Sequence, residues 1–431
     1  MLEGRLLPPP KLRFDPAVPA RTHDEAYKGL RLHGPYDASR VHIGPNSILF
    51  VFPEALRTKA QLLYKALHEG FANFPGFEAM FRVPLDKEHV SHLVVLGDVA
   101  DPAVAGILYR EAIAEWNRTN TGADPQLALV LVPHTDRWET ESAYYEAKAL
   151  FARLGLPTQM VTTELLEDER EFGWSVANIA LAAFAKLGGI PWVVDVPVGD
   201  EDMILGVGRA DIRTAAGTRR IFGYAIAFAS NGSYRQVWGF SPVADDAAYE
   251  VCMQDAVSQA LTSQADSPAG RLVVHLTKRT GWREIEAVRK AQAKVGVQMP
   301  TAFLRIDDSS LFDIADGNAQ TFAPPKGLAV RLGPRRALLQ SETVGPTGAP
   351  DGPLLVQLDD RSDVGPDALD GLVEQAFRLS QANWRAFNAR SLPVTVAYGE
   401  LLAKLVGYLE EVENWDPSSL RSDFRERPWF L

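Results

Sequence analysis

A single cysteine, Cys252, in 431 residues leaves no internal disulfide and no Cys-based zinc site. Such sparse use makes a reducing, cytoplasmic setting the expectation. No run of about 18 apolar residues occurs, so no membrane span is expected. The opening stretch, MLEGRLLPPPKLRFDP, lacks the apolar core of a signal peptide and reads as an extended arm. Positive charge is also in short supply: 44 Lys and Arg stand against 55 Asp and Glu, a net charge of −11. That balance argues against a broadly basic nucleic-acid binder but leaves room for a local basic pocket. Common enzyme signatures are missing as well. There is no H-E-x-x-H, no G-x-x-x-x-G-K-[ST] and no G-x-S-x-G. ILGVG lacks the third glycine and the following helix of a dinucleotide site.

What is present is ordinary for a globular chain: 46% apolar and 23% charged residues. The length suggests two or three domains. Apolar runs at 47–54, 92–98 and 127–133 fit buried parallel strands. Helical spacing fills 55–71, 103–119 and 141–157, the last stopped by Gly155 and Pro157. A short strand at 158–163 and a helix at 173–189, closed by two glycines, complete a doubly wound α/β layer. Such layers bind ligands at the carboxyl ends of their strands.

Three β-rich runs between 202 and 243 then read as an antiparallel meander. A helix (244–264), a strand (271–281) and a helix (282–295) follow, with further strands at 301–308, 327–342 and 354–360. Two helices close the chain, at 368–384 and 393–415. Meander, helix, then parallel strand is the layout of the RNase H fold. TGAPDGP (347–353) is the most obvious exposed loop. A nuclease of that fold needs clustered carboxylates for its metal ions. The centre of the first strand carries Gly208 instead, and Asp211, at an odd offset, belongs to the opposite face. The next strand offers Thr277 and Lys278, and a lysine repels a metal ion. His275, on an apolar strand, reads as a hydrogen-bonded core histidine.

Tyr144 and Lys148 lie four apart on one helix and share a face. Gln159 follows the helix stop; Lys186 ends the next helix, with Asn178 two turns earlier. One hydroxyl, two ammonium groups and two amides from consecutive elements suit a terminal phosphate. Each residue also has a plain structural reading: a core-edge tyrosine, solvated lysines, a loop-capping glutamine. The ending RPWFL raises a similar choice. Trp429, Phe430 and Leu431 are either a packed tail or an anchor that positions the terminal carboxylate.

The combination of KLGGIPWVV, ILGVG, NWRAFNARSLPVTVAYGELLAKL and RPWFL resembles the MID–PIWI module of short prokaryotic Argonautes, from about Lys28 to Leu431. The resemblance implies an α/β chain with an entry segment (1–37), a Rossmann-like MID domain (38–190) and an RNase H-like PIWI domain (191–431). It implies that Tyr144, Lys148, Gln159, Asn178 and Lys186 hold the 5′-phosphate of a small guide strand. It implies a divalent cation, Mg²⁺ or Mn²⁺, bound by Gln159 and the Leu431 carboxylate. With Gly208 and Thr277 in place of acids, it implies a catalytically inactive PIWI domain that recognises target without cutting. The implied partners are a guide RNA or DNA, complementary target DNA and an APAZ-containing effector protein, in a prokaryotic defence system; a homodimer is left open. The alternative is an active PIWI nuclease with displaced acids, using Asp211 with Asp307 or Asp308.

Overall fold

The computed structural model describes residues 3–431 except 121, 123, 137, 197–200, 215–216, 239–245, 264–269, 343–351, 389, 414, 417–419 and 421. Most of the loop expected at 347–353 lies outside the described residues. The chain begins with three short strands, β1 (Glu3–Leu6), β2 (Leu12–Arg13) and β3 (Thr22–His23), and helix α1 (Ala26–His33).

Next comes the first layer: β4 (Ile48–Pro53), α2 (Arg57–Glu69), α3 (Phe77–Phe81), β5 (Val90–Val95), α4 (Pro102–Thr119), β6 (Leu127–Val132), α5 (Ala143–Arg153), β7 (Thr158–Thr162) and α6 (Glu169–Lys186). Its four strands are parallel, in the order β5-β4-β6-β7. Continuous apolar runs are required because both faces are covered. Leu49 and Val51 of β4 and Ala128 and Val130 of β6 meet the core under α4 and α5. Their neighbours Phe50, Phe52, Leu129 and Leu131 meet the core on the other side, with α2 and α6. Asp101 and Asp168 cap α4 and α6 by accepting from backbone N–H groups of the first turn, each worth about 1 kcal/mol.

Glycines stop α5 and α6 as expected. Gly155 and Gly188 adopt positive φ, 72° and 98°. Leu156 N–H bonds back to Phe151 O and Gly189 N–H to Phe184 O, the 6→1 closure of a Schellman motif. The KLGG sequence therefore places Lys186 on the last helical turn.

The second layer holds β8 (Val193–Val194), β9 (Asp202–Thr214), β10 (Gly217–Ala229), β11 (Tyr234–Trp238), α7 (Asp246–Ser263), β12 (Arg271–Leu276), α8 (Trp282–Val295) and β13 (Thr301–Asp307). It continues with β14 (Leu328–Gly333), β15 (Arg336–Leu339), β16 (Leu354–Leu358), α9 (Leu369–Leu379), α10 (Val394–Leu409) and α11 (Ser422–Arg425). Its nine-stranded sheet runs β1-β14-β15-β16-β13-β12-β9-β10-β11. Strands β9, β10 and β11 form the antiparallel meander, β12 joins β9 in parallel and β13 joins β12 in parallel. This is the RNase H-like layout read from the sequence.

Two features were not anticipated. The single strand expected at 327–342 is a hairpin of β14 and β15, turning at Pro334 and Arg335. The Pro-rich start is tied down at both ends. β1 pairs antiparallel with β14 at the edge of the large sheet, and β2 pairs with β3 and β8.

Alternation along β9 decides what can lie on each face. Ile204, Ala210 and Ile212 belong to the core that includes Val394, Tyr398 and Leu402 of α10. Met203, Leu205 and Val207 belong to the core under α7 and α8. Gly206 and Gly208 share the α10 face, and the helix backbone approaches them directly. A Cβ on Gly206 would lie 1.8 Å from Thr395 O, and one on Gly208 2.0 Å from Gly399 O. Glycine is required at both positions by contact with backbone atoms, which cannot rotate away.

Candidate functional site

The carboxyl ends of β6 and β7 open on a cleft of about 480 Å³, whose opposite wall is α10. Pro133, His134 and Thr162 contribute from the first layer, Tyr144 and Tyr145 from the start of α5, and Arg385, Arg390, Glu400 and Lys404 from the second. This is the strand end at which open α/β sheets take ligands.

The two lysines beside it are buried: Lys148 is 3% exposed and Lys186 0%. The Lys148 ammonium lies 5.9 Å from the centroid of the Tyr144 ring. It makes no hydrogen bond or ion pair among the described residues. Lys186 Nζ donates to Thr158 O at 2.9 Å and to Gln159 Oε1 at 2.7 Å. Burial pushes the Lys148 ammonium down to about 7, and the Arg385 charge adds to the effect. Burial pulls Lys186 well below the usual lysine range, and the charges of Lys148 and Arg385 push it the same way. The charges that act on both lysines are thus all positive. A buried ammonium without a counter-charge is unfavourable, so the site is arranged for an anion.

The sequence-predicted residues divide. Tyr144, Lys148, Gln159 and Lys186 come together through the contacts just given. Asn178 is engaged elsewhere: its Oδ1 accepts from Phe387 N–H at 3.0 Å, which links α6 to the loop before α10. Arg385, Arg390, Glu400 and Lys404 were missed as site residues. Two of them, Arg385 and Arg390, stand in NWRAFNAR, but nothing local in that stretch ties them to α5 or α6. Glu400 and Lys404 are four apart on α10 and share a face.

The motifs around the cleft form the junction between layers. Trp384 Nε1 donates to Trp192 O at 3.0 Å, and Trp192 Nε1 to Gln381 O at 3.1 Å. Tyr398 Oη accepts from Trp384 N–H at 2.7 Å. The terminal residues belong to the same junction. Phe430 packs on Tyr398 and Tyr234, with ring centroids 5.8 and 6.1 Å apart. Glu426 pairs with Arg40 of the first layer at 3.2 Å, and Leu431 is 8% exposed.

The acids named for a nuclease are not gathered. Asp307 pairs with Arg305 of its own strand. Asp211 is exposed at the rim of the cleft. No group of three His, Cys, Asp or Glu side chains lies in metal-holding proximity among the described residues. His275 is fully buried, with Nδ1 2.8 Å from Thr395 Oγ1, and burial lowers it to about 3. It is the core histidine read from the sequence.

Comparison with known proteins agrees with this architecture. The Piwi domain family matches residues 130–299, from β6 to just beyond α8. A Protein argonaute of Cereibacter sphaeroides is 26% identical over 485 aligned residues, covering 99% of this chain and 59% of that protein. A Piwi protein of Archaeoglobus fulgidus is 25% identical and covers 96% of each chain. Clostridium butyricum Argonaute, solved with a guide DNA and a 19-mer target DNA, superposes with a TM-score of 0.67 at 18% identity, over 94% of this chain and 53% of that one. Drosophila Piwi superposes at 0.71 with 17% identity, over 99% and 56%. The chain is similar to Argonaute and Piwi proteins along nearly its whole length, and residues 130–299 match the Piwi domain family. It spans 59% of the Cereibacter protein and 96% of the Archaeoglobus one.

Proposed function

We propose that this chain is a guide-directed nucleic-acid-binding protein that grips the 5′-phosphate of a small guide strand between Tyr144, Lys148, Lys186 and Arg385. The observation that carries the proposal is the buried Lys148 ammonium, which makes no hydrogen bond or ion pair among the described residues and lies under the influence of the Arg385 charge. A terminal phosphate supplies the missing charge and accepts from several donors at once. The protein holds the backbone, and base pairing reads the target. The relatives and the nucleic acid in the Clostridium complex support the same reading.

A divalent cation beside Gln159 and Leu431 does not fit these residues as arranged. The Gln159 oxygen that would ligate it already accepts from Lys186. Arg385, and Lys148 wherever it is protonated, repel a dication in the same pocket. The grip on phosphate is therefore assigned to the chain's own cations, and the 5′-phosphate preference is expected to survive chelation.

The proposal includes recognition without cleavage. Gly208 faces the α10 backbone at a distance that no carboxylate side chain fits, and Glu400 of the cleft is acted on by the charges of Lys404, Arg390 and Lys278. Any cutting would then belong to an APAZ-containing effector partner, with this chain as the sensor subunit of a defence system and target DNA as its second ligand. The double variant Lys148→Ala, Lys186→Ala tests the grip. Each lost charged contact to the phosphate should weaken guide binding by roughly 10- to 100-fold and flatten its salt dependence by about 0.7 per contact for a single strand. Unchanged binding would sink the reading. Guide-dependent cleavage by this chain alone, lost in Asp211→Ala, would establish the nuclease alternative.

A further inference from the structure

Glu400 stands next to Gly399, the residue whose backbone meets Gly208. It is half-buried and lines the cleft together with Arg390 and Lys404. Four charged groups act on it. Lys404 comes from α10 itself, Arg390 from the loop before it, Lys278 from the segment after β12 and Asp308 from the segment after β13. Burial raises its carboxyl above the usual glutamate range and Asp308 acts the same way, while the three cations oppose them. Glu400 is thus an anion among the basic groups of this wall, and Asp211 and Asp136 line the same cleft.

Resting on the reading of the cleft as the strand-binding groove, we propose that Glu400 limits affinity: its carboxylate lines the same cleft as Arg390 and Lys404, offsets their charges and repels a backbone phosphodiester of the bound strand. Removing the charge at position 400 therefore tightens binding. Removing Lys404 loosens it. The effect acts on the body of the strand, so it is independent of the 5′ group that Lys148 senses.

The test compares wild type with Glu400→Gln and Lys404→Ala. Fluorescence anisotropy follows an 18-nucleotide single strand carrying either a 5′-phosphate or a 5′-hydroxyl, between pH 5.5 and 8.5. At pH 8 the Gln variant is expected to bind both strands roughly 3- to 5-fold more tightly, as for a partly exposed charge pair. Its advantage should shrink as the pH falls, because the raised wild-type carboxyl takes up its proton earlier than an ordinary glutamate. Lys404→Ala should bind both strands more weakly. A 5′-phosphate preference that persists while Glu400→Gln binds no better overturns this inference alone. A wild-type protein without that preference overturns the reading on which it rests. A thermal midpoint for each variant within a few degrees of wild type establishes that the comparison is between folded proteins.

Discussion

At the scale of single residues, Lys148 carries the sharpest consequence. Unfolded, its ammonium holds a proton up to about the ordinary value of 10.5; folded, only up to about 7. Between those limits the unfolded chain binds more protons, so this residue makes stability rise with pH from about 7 toward 10, and its full penalty is present below 7. Lys148→Met removes that slope. The thermal midpoint of the variant should exceed that of wild type at pH 7, and the difference should narrow as pH approaches 10. A difference that does not change with pH would contradict the burial argument. The pocket was legible in part because side chains four apart on a helix share a face, which pairs Tyr144 with Lys148. Arg385 was not, because no local periodicity ties a loop residue to helices about two hundred residues earlier. Asn178 could not be placed from the sequence, because its spacing on α6 is the same whether it meets a phosphate or the Phe387 N–H.

At the scale of elements, the contact between β9 and α10 is the decisive one. Gly208→Asp would restore a carboxylate at the centre of the first strand, but the side chain has no room against Gly399. The expected outcome is loss of about 3 kcal/mol or more of stability through overpacking and no gain of nuclease activity. Urea unfolding and a guided cleavage assay read the two effects. A stable, cleaving Gly208→Asp protein would show that α10 yields easily. Long strands and helices could be read because their apolar patterns are unbroken, a continuous run in 127–132 and a period of 3.6 in 282–295. β1 could not. Its four residues carry no periodic signal, and their partner β14 lies more than three hundred residues away. The β14–β15 turn was hidden because Pro334 and Arg335 interrupt one apolar run for only two residues.

At the scale of the whole molecule, the pocket depends on the junction between the two layers. Trp384 crosses it, next to Arg385. Trp384→Phe keeps most of the apolar area but removes the donor to Trp192 O, at a cost of about 1–2 kcal/mol for a buried bond. It also loosens the loop that carries Arg385, so guide affinity is expected to fall with stability. Calorimetry and binding on the same variant check this; a drop in stability with unchanged affinity would separate the junction from the pocket. The order of the layers was legible from the alternation of elements. Their junction was not, since it is built from side chains of KLGGIPW, NWRAFNAR and RPWFL that meet only in three dimensions.

The most direct test of the account is equilibrium binding of one short oligonucleotide in four forms, RNA or DNA with a 5′-phosphate or a 5′-hydroxyl, each with Mg²⁺ and with chelator. The account predicts a strong preference for the 5′-phosphate that persists in chelator, and the better-bound nucleic acid identifies the guide. Equal, weak binding of all four forms would contradict a phosphate pocket in this chain, and a preference abolished by chelator would return the site to a metal.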